Sequence, residues 1–163
     1  MVFIFFISFL ILLRIGELFL SKKNEKWLLK NGAMEYGSKH YPFIVTLHVL
    51  FILSLMFEYF TQQVVSYSLR LLCFYFVLLL FKAWTIRSLG KFWNTKIYRI
   101  PKILLIKKGP YKIFKHPNYI LVIAEIIVIP LTFHLYYTAI VFTLLNAIVL
   151  FVRMKEENKA LKF

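Results

Sequence analysis

The chain of 163 residues has a single cysteine, Cys73, set inside an apolar run, so it can build neither a disulfide framework nor a multi-cysteine metal site. Acidic residues are scarce: seven Asp and Glu stand against 21 Lys and Arg, giving a formal net charge of +14. Internal repeats and low-complexity tracts are absent, and so is the polar majority of a soluble domain. Hydrophobic residues make up 61% of the chain, where ordinary globular domains hold about 45–50%, and the mean hydropathy is +0.73. That composition places the chain in a bilayer. The basic excess excludes nothing of this and implies no nucleic-acid partner, because it falls between apolar runs, where lysines meet anionic headgroups.

What is present is a set of apolar stretches near the length of a membrane span, about 20 residues. Five are expected, over residues 1–20, 43–60, 68–88, 118–134 and 136–152. The first lacks a basic flank and a small-residue cleavage site and is read as a retained helix rather than a signal peptide. The last two are separated by only a few residues around His134, so they read as a helical hairpin, with Pro130 kinking or ending the first of the pair. Basic and uncharged connections alternate. Lys22, Lys23, Lys26, Lys30 and Lys39 fill the first, "TQQVVSYS" has no charge, the segment after residue 90 is rich in lysine, and Arg153, Lys155, Lys159 and Lys162 mark the tail. The positive-inside rule then predicts an outside N-terminus and a cytoplasmic C-terminus.

Ionisable residues inside spans are costly and demand partners. Arg14 and Glu17, three apart on one helix face, can pair with each other. Glu125, eight residues past Pro117, is expected about 12 Å down its helix, where Asn146 across the hairpin is a candidate partner and a substrate-facing role the alternative. Glu58 reads as interfacial.

The stretch "KKGPYKIFKHPNY", residues 107–119, is the crowded polar segment of the second half. Gly109 and Pro110 predict a turn. Pro117 suits the first position of a helix, where its missing N–H costs nothing. The N–H groups of Asn118 and Tyr119 would then be left unpaired at the positive end of a helix dipole, a site for a carboxylate or phosphate; a plain helix start flanked by interfacial tyrosines is the simpler reading. If helicity continues into "VRMKEENKAL", residues 152–161, then Arg153, Glu157 and Leu161 share a face, as a solvated charged surface or as part of a ligand site.

These two segments resemble a known family. "GPYKIFKHPNY" is similar to the G-x-Y-x-x-x-R-H-P-x-Y element of isoprenylcysteine carboxyl methyltransferases, and "RMKEENKAL" to their terminal R-x-x-x-E-x-x-x-L element; "NEKWLLKNGAMEYGSKHYP" and "SLGKFWNTKI" look like the family's short bacterial branch. The resemblance implies an all-α polytopic membrane protein of about five transmembrane helices, the last two a hairpin followed by a cytoplasmic C-terminal helix. It also implies one domain over 1–163, with three N-terminal helices over 1–90 and a cofactor-binding half over 91–163.

The implied cofactor is S-adenosyl-L-methionine, contacted by Ile103, Leu104, Leu105, Ile106, Tyr111, His116, Pro117, Asn118, Tyr119 and Glu157. Arg153 is the implied catalytic and substrate-facing residue. Lys115 stands where the family usually has arginine, and lysine cannot make arginine's planar bidentate contact. The family's glutamine-type contact has Asn94 as its nearest counterpart. The implied acceptor is a lipophilic molecule drawn from the bilayer, with a carboxylate or acidic hydroxyl. A prenylcysteine-like carboxylate and an alkylated phenolic or pyrone lipid both answer to that description, with His116 or Glu125 as base for a neutral hydroxyl. No metal is called for. A membrane reductase of the sterol-reductase type using NADPH and a phospholipid N-methyltransferase share the HPxY element and are the alternatives.

Overall fold

The computed structural model of the chain describes residues 1–62, 66–101, 103 and 106–160. Five α-helices carry the fold: α1 (Val2–Lys30), α2 (Tyr41–Thr61), α3 (Leu69–Leu89), α4 (Pro117–Thr132) and α5 (Tyr136–Ala160). Two short strands, β1 (Met34–Tyr36) and β2 (Ile97–Arg99), pair antiparallel with Glu35 opposite Tyr98. Apart from this ribbon the architecture is the expected all-α polytopic membrane fold. Among the described residues four helical stretches are long and apolar enough to cross a membrane: Val2–Lys30, Ser38–Thr61, Leu69–Phe92 and Tyr136–Lys159. α4, with 16 residues, is shorter than the ~20 of a full span.

Two helices run further than hydropathy suggested. α1 continues ten residues past residue 20, because Lys22, Lys23, Glu25 and Lys26 are good helix formers and because the extension buries Ser21, Asn24 and Leu28. α5 is unbroken to residue 160, since it contains neither glycine nor proline. The tail is therefore the end of the last apolar helix, not a separate helix after the hairpin.

Pro130 ends α4 rather than kinking it. The helix stops two residues later, where His134 takes a left-handed φ of 58°. The Leu135 N–H then reaches the Pro130 carbonyl at 2.9 Å and the His134 N–H the Leu131 carbonyl at 3.2 Å, a closure that satisfies the last carbonyls of the helix. Glu58 completes the turn. Its carboxylate, expected at the interface, is buried and accepts the backbone N–H groups of Tyr137 (3.0 Å) and Thr138 (2.7 Å), capping α5 from a different helix.

The core near this end is aromatic. Phe3 stacks on Tyr59 and meets Phe133 edge-on, while Phe6 packs against Tyr75 and Phe133. Hydrocarbon tails are as apolar as these side chains, so packing rather than water exclusion holds the helices together. Leu12, Phe19, Phe57, Leu80, Ile140 and Leu144 accordingly point outward.

Deeper toward the basic end, four charges close a ring. Arg14 binds Glu17 at 2.9 Å and Glu125 at 2.8 Å; Lys82 lies 2.8 Å from Glu17 and 2.5 Å from Glu125. Each carboxylate meets both cations, and Glu125 is fully buried. The expected partner, Asn146, is also buried on α5, but the Glu125 carboxylate is taken by Arg14 of α1 and Lys82 of α3. A buried pair robbed of one member leaves an uncompensated charge, at a cost of roughly 3–5 kcal/mol. Lys82→Met or Glu125→Ala alone is therefore expected to lower stability in detergent by about that amount, whereas Lys82→Met with Glu125→Leu should lose clearly less than the sum. Denaturation followed by far-UV circular dichroism checks this, and additive losses would mean that the ring is not a coupled unit.

Candidate functional site

At the basic end the chain folds over a cavity of about 480 Å³. Its floor comes from the start of α4 and the end of α5, one wall from Ile103 and residues 106–116, and the opposite wall from residues 89–100 with Leu28 of α1. The 106–116 wall is anchored at Gly109, whose φ is 53°. A Cβ there would fall 2.1 Å from Ser88 Oγ on α3, so only glycine lets the turn seat against that helix.

The opposite wall is held by side chains of the α1 extension and of the 89–100 segment itself. Asn24 donates to the carbonyls of Trp93 (2.7 Å) and Gly90 (3.2 Å). Ser21 Oγ meets Thr95 Oγ1 at 2.8 Å and accepts from the Thr95 N–H at 3.1 Å. Asn94, the counterpart of the glutamine-type contact, lines the cavity but spends its amide on Ser21 and on the Lys96 N–H. Lys96 is bound by Glu25 at 2.9 Å, which raises its pKa, and the Tyr98 phenol is pushed up by burial and by its hydrogen bonds to Glu25 and Glu35. Both are engaged in holding the ribbon.

The polar floor joins two segments far apart in sequence. Tyr119 donates its hydroxyl to Glu157, and Arg153 Nε donates to the same hydroxyl at 3.2 Å. The guanidinium lies over the Tyr119 ring, 5.6 Å from its centre, and Nη2 donates to the Thr95 carbonyl at 2.7 Å. His116 stacks on Tyr119, its ring 5.1 Å from the Tyr119 ring and its Nδ1 3.5 Å from Glu157. One turn of α5 sets Arg153 and Glu157 on one face, and the first turn of α4 presents Tyr119 between them. Burial and then the nearby Glu157 carboxylate raise the pKa of the Tyr111 phenol.

Of the residues singled out from the sequence, Ile103, Ile106, Tyr111, His116, Asn118, Tyr119, Arg153 and Glu157 all line this one cavity. Pro117 is buried at the first position of α4 and sets its start. Leu104, Leu105 and Leu161 lie outside the described residues. Lys115 lines the cavity and binds Asn158 at 3.1 Å. One expectation about the helix start fails. The Tyr119 N–H is not free but bonds the His116 carbonyl at 3.1 Å in a tight first turn, which leaves the Asn118 N–H as the available donor among the described residues.

Long apolar helices, with a cavity at the charged end of the bundle that has one carboxylate and one arginine on its floor, define an integral membrane protein. The isoprenylcysteine carboxyl methyltransferase (ICMT) family matches residues 70–163, and the chain belongs to that family. Membership implies methyltransferase activity with S-adenosylmethionine. The chain is 43% identical over 158 residues to the uncharacterized protein YpbQ of Bacillus subtilis (strain 168), covering 96% of this chain and 94% of YpbQ. It is 30% identical over 156 residues to an uncharacterized protein of Haemophilus influenzae (strain ATCC 51907 / DSM 11121 / KW20 / Rd), covering 91% of this chain and 88% of that one. No solved structure matches the chain significantly.

Replacing Gly109 by alanine should strain the left-handed turn by about 1–3 kcal/mol and push the 106–116 wall off α3. A matching loss of stability is expected, with partial recovery in Gly109→Ala/Ser88→Ala; an unchanged thermal midpoint for the single variant would show that the turn is not seated as described.

Proposed function

We propose that the protein transfers a methyl group from S-adenosyl-L-methionine to an oxygen of a membrane-dissolved lipophilic acceptor, a carboxylate or an acidic hydroxyl such as that of an alkylated phenolic or pyrone lipid. The observation that carries this reading is the convergence of Tyr119, His116, Arg153 and Glu157 on one cavity floor. The residues present suit the cofactor. Glu157 is the one carboxylate lining the cavity among the described residues, Asn118 offers a helix-start N–H, and Leu28, Ile100, Ile103 and Ile106 supply apolar surface. A volume near 480 Å³ lies within the usual few hundred to about 1,000 Å³ of small-molecule sites.

In this reading Glu157 binds the cationic amino group or the ribose, and the Asn118 N–H binds the carboxylate. Tyr119 and His116 keep the Glu157 carboxylate oriented. Arg153 is itself oriented by Tyr119 and Thr95, and its Nη1 has no partner among the described residues, so it is the group that holds the acceptor oxygen. When bound, S-adenosyl-L-methionine supplies a methyl group on a cationic sulfur, which an oxygen held in line can take without covalent help from the protein. Exclusion of water by the two walls completes the requirement. A neutral hydroxyl acceptor needs a base, and His116 is the candidate; Glu125 is withdrawn from that role by Arg14 and Lys82.

The lysine-rich end suits the cytoplasmic side by the positive-inside rule, with the N-terminus outside and the C-terminus in the cytoplasm. The cavity then opens where S-adenosyl-L-methionine is made, and a lipid acceptor reaches it without leaving the membrane.

Isothermal titration of the detergent-solubilised protein with S-adenosylhomocysteine tests the assignment. Binding to wild type is expected, with a loss of at least about tenfold in Glu157→Ala and no binding of NADPH. Undiminished binding in Glu157→Ala, or none to wild type, would sink it. Membranes incubated with methyl-labelled S-adenosylmethionine should carry label in the lipid fraction; label confined to a protein band would reject the lipid acceptor.

A further inference from the structure

The 89–100 wall holds two donors that the reading above does not use. Trp93 is 4% exposed and Arg99 sits on β2, and both line the cavity. The Trp93 Nε1 and the Arg99 Nε are buried with no hydrogen-bond acceptor among the described residues. A buried donor without an acceptor forfeits about 1–3 kcal/mol of solvation, and native structures hold few such groups without a reason. Both donors belong to residues on one wall of one cavity, and a small turn of either side chain would offer its N–H to an oxygen that arrives from outside the chain.

The charge of the lining says what kind of oxygen. Among the described residues, Lys96, Arg99, Lys107, Lys112, Lys115 and Arg153 line the cavity against Glu157 alone. Lys96 is engaged by Glu25, and Lys115 binds Asn158. Arg99 belongs to the 89–100 wall, whereas Glu157, assigned to the cofactor, belongs to the floor. We propose that Trp93 and Arg99 form the subsite for an anionic oxygen of the methyl acceptor and hold that acceptor in its deprotonated form; this rests on the methyl-transfer reading of the cavity. The wall is well placed for the task, because its Thr95 carbonyl also holds Arg153, so the two acceptor-binding cations share one support. An acceptor stabilised as an anion reaches the methyl group ready to react. The proton leaves to solvent as the acceptor enters, and His116 is then not required as a base.

A long-chain nitrophenol, 4-dodecyl-2-nitrophenol, makes the claim measurable because its phenolate absorbs visible light. Bound to wild type in detergent, its apparent pKa should fall below the value in protein-free micelles. Arg99→Gln should return it toward the micelle value and weaken phenolate binding at least about tenfold, the size expected for a lost hydrogen bond to a charged group. The methyl ether of the same probe, which cannot ionise, should bind both proteins alike. Trp93→Phe should act in the same direction with a smaller effect, and Arg99→Lys should recover part of the pKa shift. S-adenosylhomocysteine affinity should stay within about twofold of wild type in all three variants, which also reports that they are folded.

Unchanged phenolate binding in Arg99→Gln overturns the proposal. So does a loss of S-adenosylhomocysteine binding comparable to that of Glu157→Ala, which would give the two donors to the cofactor. If wild type binds no S-adenosylhomocysteine yet still lowers the pKa of the probe, the methyl-transfer reading fails and the anion subsite stands.

Discussion

The ring of Arg14, Glu17, Lys82 and Glu125 is the constraint on which the rest of the structure depends. Within lipid a single ionised side chain has no solvent to turn to, so each of these four residues needs an opposite charge of the ring in place. That requirement fixes how α1, α3 and α4 stand relative to one another at one depth, which loose apolar packing alone would leave free to slide. With α4 held there, its first turn emerges beside the end of α1, and the 89–100 wall and the α4 start come to face each other across the cavity.

The site above the ring is made by continuation. α1 and α5 both extend beyond the apolar length that would suffice to cross, and those extra turns do the binding work: Ser21 and Asn24 grip the 89–100 wall, and Arg153 and Glu157 form the floor. Arg153 is the crossing point, tied through Tyr119 to α4 and through Thr95 to the wall that α1 supports. The polar site is therefore braced from the N-terminal helix as well as from the half of the chain that supplies most of its lining.

Much of the fold was legible because hydropathy and loop charge report on the bilayer directly: the long apolar stretches, the terminal hairpin and the turn at Gly109 and Pro110 could be read without coordinates. The residues of the two motifs meet in space, and their resemblance to a family identified them. What stayed hidden was pairing across the sequence. Lys82 sits within an apolar run and gives no local sign of being the partner of a glutamate 43 positions later, so Asn146, nearer along the chain, drew attention instead. The N–H of Tyr119 was expected to be free because a regular helix start would leave it so, and a tighter first turn consumes it. Trp93 and Arg99 belong to no spacing pattern; only burial marks them. The two three-residue strands are too short to produce a period of alternation and were invisible for that reason.

The cap that Glu58 places on the first turn of α5 has a mechanical meaning. From Tyr137 to Glu157 the helix is one uninterrupted rod of about 30 Å, at ~1.5 Å per residue. If it pivots at the capped end by roughly 5°, the carboxylate at the other end is displaced by about 2.6 Å over that length, more than the ~1 Å misplacement that can already slow a reaction a hundredfold. Helix tilt follows the thickness of the surrounding hydrocarbon. The acyl-chain length of the host membrane would then act on the Glu157 carboxylate from the far end of the same helix.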